Sequence, residues 1–458
     1  AGSYWKLNCS VLQSEDFLLE FQVLWNNLLL RKVEFLDTAD WWDRLAKEEC
    51  RGLCMRYSAM VARSKRGLKE MLMIMLECAL DKKDWLQVAI IRGRLREIMR
   101  EDSMGFKVRS RFKENVESEK ASLYHVNREK QKGDQRVLDR LMINNEVVVD
   151  KPVIEENLVG YYGGLFSGHH RRGAVNVGTT FQPDLTDLNE FLAGLGKLSE
   201  ASKAKIVEKA NSDELEIAIK GLQDNKSPGL DGLPVEFYKK TLDVISSEFL
   251  DVINCQLDRL KLIERLGPKV DGVPRVDQLR PITLLNLDYK ILTKIITNRL
   301  LQILSEVILS GQSCSVSGKN ILFGAHNILS VVQYMEKYRG KAALVSYDLF
   351  KAYDRVSLPF LYKVMEQMNF PQKFINWIIM FHENATTCFL LNFMTNPIDI
   401  LISVRQGDPL AMLLFLIYME PLLMMIRRSI RGTFFMGEKD QKSMEGNYDG
   451  GIQCVNTR

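Results

Sequence analysis

Histidine, cysteine and proline are sparse in this chain, numbering five, eight and twelve among 458 residues. So few cysteines over that length exclude a disulfide-built scaffold and point to a reducing compartment. Cys50 and Cys54 have no second Cys/His pair at finger spacing, so no zinc site is expected there. His169 and His170 read as part of a polar loop. Long apolar runs are also missing, whereas a spanning helix wants about 20 such residues. Met71–Leu80 is short and contains Glu77, and Ala411–Ile426 is interrupted by Glu420 and Pro421. Both segments are expected to be buried core, in a protein that is soluble and intracellular. There are no internal repeats or low-complexity tracts, which excludes collagen-like, mucin-like and wholly disordered classes. Gly194–Lys197 lacks the spacing of a phosphate loop, and no local Ser-His-Asp arrangement occurs. The chain opens on Ala1 without a charged-then-apolar leader, as expected of an internal piece of something longer.

Charge of one sign is nearly balanced by the other, 62 Lys+Arg against 58 Asp+Glu, a net of +4. The balance is uneven along the chain. Arg51–Lys113 holds sixteen basic and seven acidic residues. Within it, Val88, Ile91, Leu95 and Ile98 repeat at three or four and predict a helix over Asp84–Arg100. Arg92, Arg96 and Arg100 form a second face, and Gly105–Lys113 interleaves Phe106 and Phe112 with Lys107, Arg109, Arg111 and Lys113. Phosphate neutralisation beside base stacking suits this pattern, so Arg92, Arg96, Arg100, Arg109 and Arg111 are candidate nucleic-acid contacts. A solvated basic face is the plainer alternative.

Residues 1–155 lack sustained strand alternation and read as helical, with Trp41, Trp42, Trp85 and the Met71–Leu80 stripe as core. Residues 156–222 form a connecting region with a Gly-rich turn at Gly163–Gly173. Beyond it, short apolar runs alternate with Pro/Gly turns, the texture of an α+β fold.

Chemistry concentrates in four segments. In Lys341–Val356 a short apolar strand, Ala342–Tyr347, ends on Asp348, where a carboxylate beside a free carbonyl makes a hard-cation site, or a helix N-cap. In Ser403–Phe415 an Arg-Gln-Gly turn lets backbone approach a ligand before Pro409 opens an apolar helix. The others are Leu279–Leu300, preceded by Pro268–Lys269, and Lys226–Lys239.

In this order SPGLDG, RPITLL, GQSCSVSGKNI, DLFKAYDRV and RQGDPL closely resemble successive blocks of the reverse transcriptases of LINE-type non-LTR retrotransposons. Gly2–Asn8 resembles the linker after the endonuclease of such polyproteins, and Trp41–Trp42 a helical block between endonuclease and polymerase. The resemblance implies a helical linker region over 1–155, fingers over 223–340, a partial palm of the right hand over 341–434, and an unrelated tail over 435–458. It implies that Asp348, with the Leu349 carbonyl, binds catalytic Mg²⁺, and that Lys269 and Arg280 hold the incoming triphosphate. Tyr353 would be the aromatic gate against ribonucleotides, and Gln406 and Gly407 would line the sugar side of the pocket. Asp354 reads as structural, paired with a basic neighbour. RNA template, DNA primer and dNTP are the implied partners.

An aromatic-x-Asp-Asp hairpin is expected soon after the helix that follows RQGDPL, but the residues beyond Arg431, GTFFMGEKDQKSMEGNYDGGIQCVNTR, contain none. Thumb and Cys/His-rich segments are likewise unmatched. One carboxylate and one carbonyl do not hold two cations about 3.5–4 Å apart against their repulsion. The chain alone is therefore expected to bind Mg²⁺ weakly and not to polymerise DNA. Alternatives are a non-catalytic RNA/DNA-binding remnant and a pseudogene product.

Overall fold

A computed structural model describes residues 5–110, 140–143, 146–167, 188–260, 266–269, 276, 282–308, 312, 321–338, 349–389, 394–429, 433–434 and 451–452. For 101–110, 266–269 and some other positions in these spans it describes the backbone alone.

Ser14 starts the first helix, α1 (Glu15–Leu30), by accepting a hydrogen bond from the Phe17 amide at 3.4 Å, with Glu15 and Asp16 set in the positive first turn. Phe17, Phe21, Trp25 and Leu28 recur at helical spacing, and that face is buried. A one-turn helix α2 (Thr38–Trp41) runs through a wide π-helical turn into α3 (Lys47–Asp81). Trp41 and Trp42 lie in the core as expected, their rings 5.5 and 6.3 Å from Trp25. The Trp41 indole N–H donates to the Leu28 carbonyl at 3.1 Å.

The outer part of α3 folds back against α4 (Trp85–Ser110) as a two-helix hairpin. Val88, Ile91 and Ile98 are buried and Leu95 half-buried, as their periodicity predicts, against Leu72, Leu76 and Ala79. Two expectations fail here. Trp85 is 67% exposed, and Met71, Met73, Ile74, Met75 and Leu80 face solvent. Two helices give each other only one stripe to bury, and Leu72 and Ala79 occupy it on α3.

A short hairpin of β1 (Leu141–Ile143) and β2 (Glu146–Val148) interrupts the region expected to be helical. The helix α5 (Lys151–Phe166) then runs through Gly163 and Gly164, which corrects the start of the expected Gly-rich turn. Its stripe Ile154, Leu158, Tyr162, Leu165 and Phe166 overrides the glycines by burial with Phe389, Ile398 and Ile400. Residues 168–173 of that turn, with His169 and His170, lie outside the described residues.

Next come α6 (Leu188–Leu192), α7 (Glu200–Ile206), α8 (Ser212–Lys220) and α9 (Val235–Arg259). Asn211 and Glu214 close a capping box on α8. Strands β3 (Leu266–Lys269) and β4 (Ile282–Leu285) pair antiparallel and lead into α10 (Leu287–Val307). From α10, Arg299 forks onto Glu214 with two 2.6 Å bonds and caps the carbonyls of Glu208 and Lys209. The chain continues through α11 (Ile321–Tyr338), α12 (Leu358–Gln367) and α13 (Gln372–His382). After them come β5 (Thr386–Thr387), paired with β6 (Ile398–Asp399), α14 (Ala411–Ser429), and the parallel pair β7 (Thr433–Phe434) and β8 (Gly451–Ile452).

Helices and strands coexist as the α+β reading requires, yet helices dominate, and among the described residues every sheet has two strands. The strand expected over Ala342–Tyr347 and most of the 435–458 tail lie outside the described residues. One apolar cluster joins Leu7–Tyr57 to residues from Leu192 to Met424. The amino-terminal segment thus shares its core with the motif-bearing helices. Ala411–Ile426 is mostly buried, as expected, with Glu420 fully enclosed beside Gln312. No helix among the described residues is long and apolar enough to cross a membrane.

Candidate functional site

The SPGLDG turn is clamped from two directions. A Cβ on Gly229 would come within 2.5 Å of the Asn286 Cα, so only glycine lets this turn lie against the start of α10. Gly232 has φ +75°, and a Cβ there would collide with the ring and carbonyl of Trp5. The Leu7 amide donates to the Gly232 carbonyl at 3.0 Å. The extreme amino-terminal segment therefore lies directly on this turn.

Beneath it is a buried ion cluster that reading by motif missed. Lys47 Nζ stands 3.0 Å from Asp231 Oδ2 and 2.6 Å from Asp288 Oδ2, with all three side chains almost fully enclosed. The Trp42 indole N–H also donates to Asp288 at 3.3 Å. Burial alone would lower Lys47, but Asp288 and then Asp231 outweigh it and hold the amine above the ordinary lysine value. Burial opposes ionisation of Asp288 too, yet Lys47 and its hydrogen bonds bring that carboxyl below the usual value. Asp231 goes the other way, raised by burial and by its neighbour Asp288. The helical block around Trp42, the SPGLDG turn and the LDYK segment are one electrostatic unit.

Tyr289, next to Asp288, carries the network onward. Its hydroxyl donates to Asp408 Oδ2 at 2.7 Å, while Asp408 Oδ1 accepts the Leu410 amide at 2.9 Å. Arg405 is buried with its guanidinium 5.7 Å from the Tyr289 ring centre. Burial, aided by Arg405, lowers the imidazole of the enclosed His382 to about 4. These contacts fix both sides of the Arg-Gln-Gly turn. Gly407 has φ +104°, and a Cβ there would press on the Thr283 carbonyl at 3.0 Å. The Gln406 carbonyl accepts the Thr283 amide of β4 at 3.0 Å.

Tyr353 lies in a 3-10 turn over Tyr353–Arg355 that follows Lys351, itself at φ +52°. Its half-buried ring packs against Phe415 of α14, with centroids 5.1 Å apart. The Tyr353 carbonyl accepts the Val404 amide and the Val356 carbonyl accepts the Ser403 amide, both at 3.0 Å. A continuous run of backbone bonds thus joins the Tyr353 turn, the Arg-Gln-Gly turn and β4. Tyr353, Gln406 and Gly407 come together.

The other assigned residues divide. Asp348, Arg280 and Arg111 lie outside the described residues, as do the side chains of Lys269 and Arg109. Backbone pairing sets Lys269 opposite Ile282, two residues after Arg280. Leu349 is exposed. Arg92, Arg96 and Arg100 are exposed along α4, whose small core is separate from the one that contains Phe415. Asp354 is buried, as a structural residue would be, but among the described residues its Oδ2 has no hydrogen-bond partner and it forms no ion pair with a basic neighbour. Burial raises its carboxyl to about 6, only partly offset by Lys351 and Arg355. Among the described residues no group of three or more His, Cys, Asp and Glu side chains is placed to hold a metal.

Residues 268–441 match the family model described as reverse transcriptase (RNA-dependent DNA polymerase). The chain is also 28% identical over 447 residues to the transposon TX1 uncharacterized 149 kDa protein of Xenopus laevis. That similarity covers 94% of this chain but 33% of the relative, so the chain spans about a third of its relative's length. With the ordered motif blocks, these similarities support a relationship of this chain to the reverse transcriptases of non-LTR retrotransposons.

Proposed function

We propose that this chain is the template- and nucleotide-handling part of an RNA-directed DNA polymerase, with a fingers and partial-palm arrangement over 223–434. The observation that carries the reading is the backbone run joining Tyr353, the Gln406–Gly407 turn and Thr283. It sets an aromatic ring, a side-chain-free backbone approach and the strand that follows Arg280 around one place. There Tyr353 excludes a ribose 2′-hydroxyl and Gln406 and Gly407 line the sugar. Lys269 and Arg280 take the triphosphate, Arg as a planar fork and Lys as a point charge.

Mg²⁺ would be held by Asp348 and the Leu349 carbonyl, where bound cations stabilise in-line phosphoryl transfer. The donor set does not fit two such ions. Asp354, close by in sequence, is buried, and its carboxyl is raised to about 6, which is poor character for a cation ligand. No step through the ions follows from these residues. The 458-residue chain by itself binds nucleic acid without extending a primer, through Arg92, Arg96 and Arg100 with Arg109 and Arg111 beyond them.

Primer extension and RNA binding test this together. The expected outcome is salt-dependent RNA binding with no dNTP incorporation. Changing Arg92, Arg96 and Arg100 to Gln should flatten the slope of log affinity against log salt by about 2, at about 0.7 per phosphate contact on a single strand. Template-dependent incorporation that is lost in Asp348→Ala would overturn the inactive reading. An unchanged salt slope would overturn the assignment of the arginines.

A further inference from the structure

The hairpin of α3 and α4 has a face that nucleic-acid binding does not explain. Cys50, Cys54, Tyr57, Val61, Ser64, Leu68, Met71, Met75 and Cys78 recur along α3 at strictly alternating spacings of four and three. That is the seam of a coiled coil. Its first three members are buried, Tyr57 against the Phe17 ring at 5.2 Å and hydrogen-bonded to Ser14 at 2.8 Å. From Val61 outward the same seam is uncovered, with Val61, Leu68, Met71 and Met75 between 42% and 50% exposed. Met60 and Ile74 widen it. The eighteen residues from Val61 to Cys78 offer a track about 27 Å long at 1.5 Å per residue. Exposed apolar surface of this extent marks an interaction site, and unbranched methionines adapt to a partner's shape.

We propose that the outer seam of α3 docks an acidic amphipathic helix of a partner protein. The inner seam shows what covers such a surface. Over Tyr57 its lid is the start of α1, an amphipathic helix that carries Glu15, Asp16 and Glu20 and no Lys or Arg. The charges beside the open part ask for the same partner. Between residues 55 and 100 there are eleven Lys/Arg and five Asp/Glu. Arg56 and Arg63 flank the seam on the side away from α4, Arg94 stands on the α4 side, and none of the three has a carboxylate partner among the described residues. A second copy of this chain would set two such basic hairpins against each other, which disfavours self-pairing. The arginine track Arg92, Arg96 and Arg100 projects from another side of the hairpin, so the two surfaces serve different ligands.

A fluorescein-labelled synthetic helix with Leu at its a and d positions and Glu at e and g, titrated against the full chain by anisotropy, tests the proposal. Saturable binding is expected, weakened by at least about tenfold in Leu68→Glu/Met75→Glu, a change of the size that loss of buried apolar contacts produces. Both positions are exposed, and circular dichroism confirms that the variant is folded. A second variant, Arg63→Glu/Arg94→Glu, should weaken the Glu probe and accept a Lys-flanked one. Arg92→Gln/Arg96→Gln should bind like the parent. The proposal is overturned by the absence of saturable binding, or by equal binding of a probe with Ser in place of Leu. Binding that ignores the seam variant overturns it, and so does a dimer of the chain that Leu68→Glu/Met75→Glu dissociates in sedimentation equilibrium.

Discussion

Lys47→Met removes the cation that, among the described residues, pairs with both Asp231 and Asp288 beneath the SPGLDG turn, and the geometry sets its cost. At 2.6 Å from Asp288 and 3.0 Å from Asp231, an effective dielectric of about 20 gives attractions of roughly 6.4 and 5.5 kcal/mol. Desolvation of three buried ions, at several kcal/mol each, cancels most of that gain. The intact cluster therefore adds little net stability, whereas loss of one partner leaves two uncompensated carboxylates. We expect Lys47→Met to cost about 3–5 kcal/mol at pH 7, read from the urea midpoint by tryptophan fluorescence. Lys47→Met/Asp231→Asn/Asp288→Asn should recover most of the loss, because apolar or neutral replacement of a whole buried cluster is close to neutral. The pH dependence has a definite sign. Without Lys47 both carboxyls have raised values, so the folded variant binds more protons than its unfolded chain. Its deficit should shrink as pH falls from 7 to 5. In the parent, Asp288 is lowered and its contribution is lost on acidification, the opposite trend for that group. A Lys47→Met variant within 1 kcal/mol of the parent at pH 7, or one whose deficit grows on acidification, would refute the reasoning.

Two further perturbations probe the site's supports. Gly232→Ala adds a Cβ to a residue at φ +75° that the Trp5 ring and carbonyl already crowd. It should cost about 2–4 kcal/mol and speed hydrogen exchange at the Leu7 amide, whereas unchanged exchange there would contradict the clamp. Burial raises the Asp354 carboxyl from the ordinary aspartate value to about 6. Its ionisation penalty is absent below the lower value, grows through pH 4–6, and reaches about 3 kcal/mol at high pH. Asp354→Asn should therefore raise the melting temperature at pH 8 and leave it nearly unchanged at pH 4, and equal effects at both would sink the assignment.

Periodicity and turn chemistry made much of the fold legible. Val88, Ile91, Leu95 and Ile98 announced the inner face of α4 because a helix can bury only what repeats at its own period. Trp41 and Trp42 were readable as core for their bulk. Trp85 and the methionines of α3 are exposed against expectation because hydrophobicity says what wants to be buried, and a two-helix hairpin decides what can be. Gly163 and Gly164 are helical for the converse reason. Glycine permits a turn, but five apolar neighbours buried against Phe389, Ile398 and Ile400 fix a helix.

Local motifs located the Tyr353 and Gln406–Gly407 turns, yet not what holds them in place. Lys47, Asp231 and Asp288 are separated by 184 and 57 positions, a distance at which no spacing rule pairs charges. Asp231 and Asp288 stand inside motif blocks and Lys47 only five residues beyond Trp42, which is all the trace the cluster leaves in the sequence. The same holds for Tyr289 and Asp408, whose hydrogen bond joins the LDYK and RQGDPL segments. These contacts reveal a division of labour within the blocks. Gly229, Gly232 and Gly407 let backbone close on Asn286, Trp5 and Thr283, while the charged residues beside them look inward. Through Asp288 and Tyr289, the amino-terminal helix bearing Lys47 is coupled to the turn bearing Gln406. A helical segment that sequence alone assigns to a linker is thus part of what holds the Gln406–Gly407 turn in place.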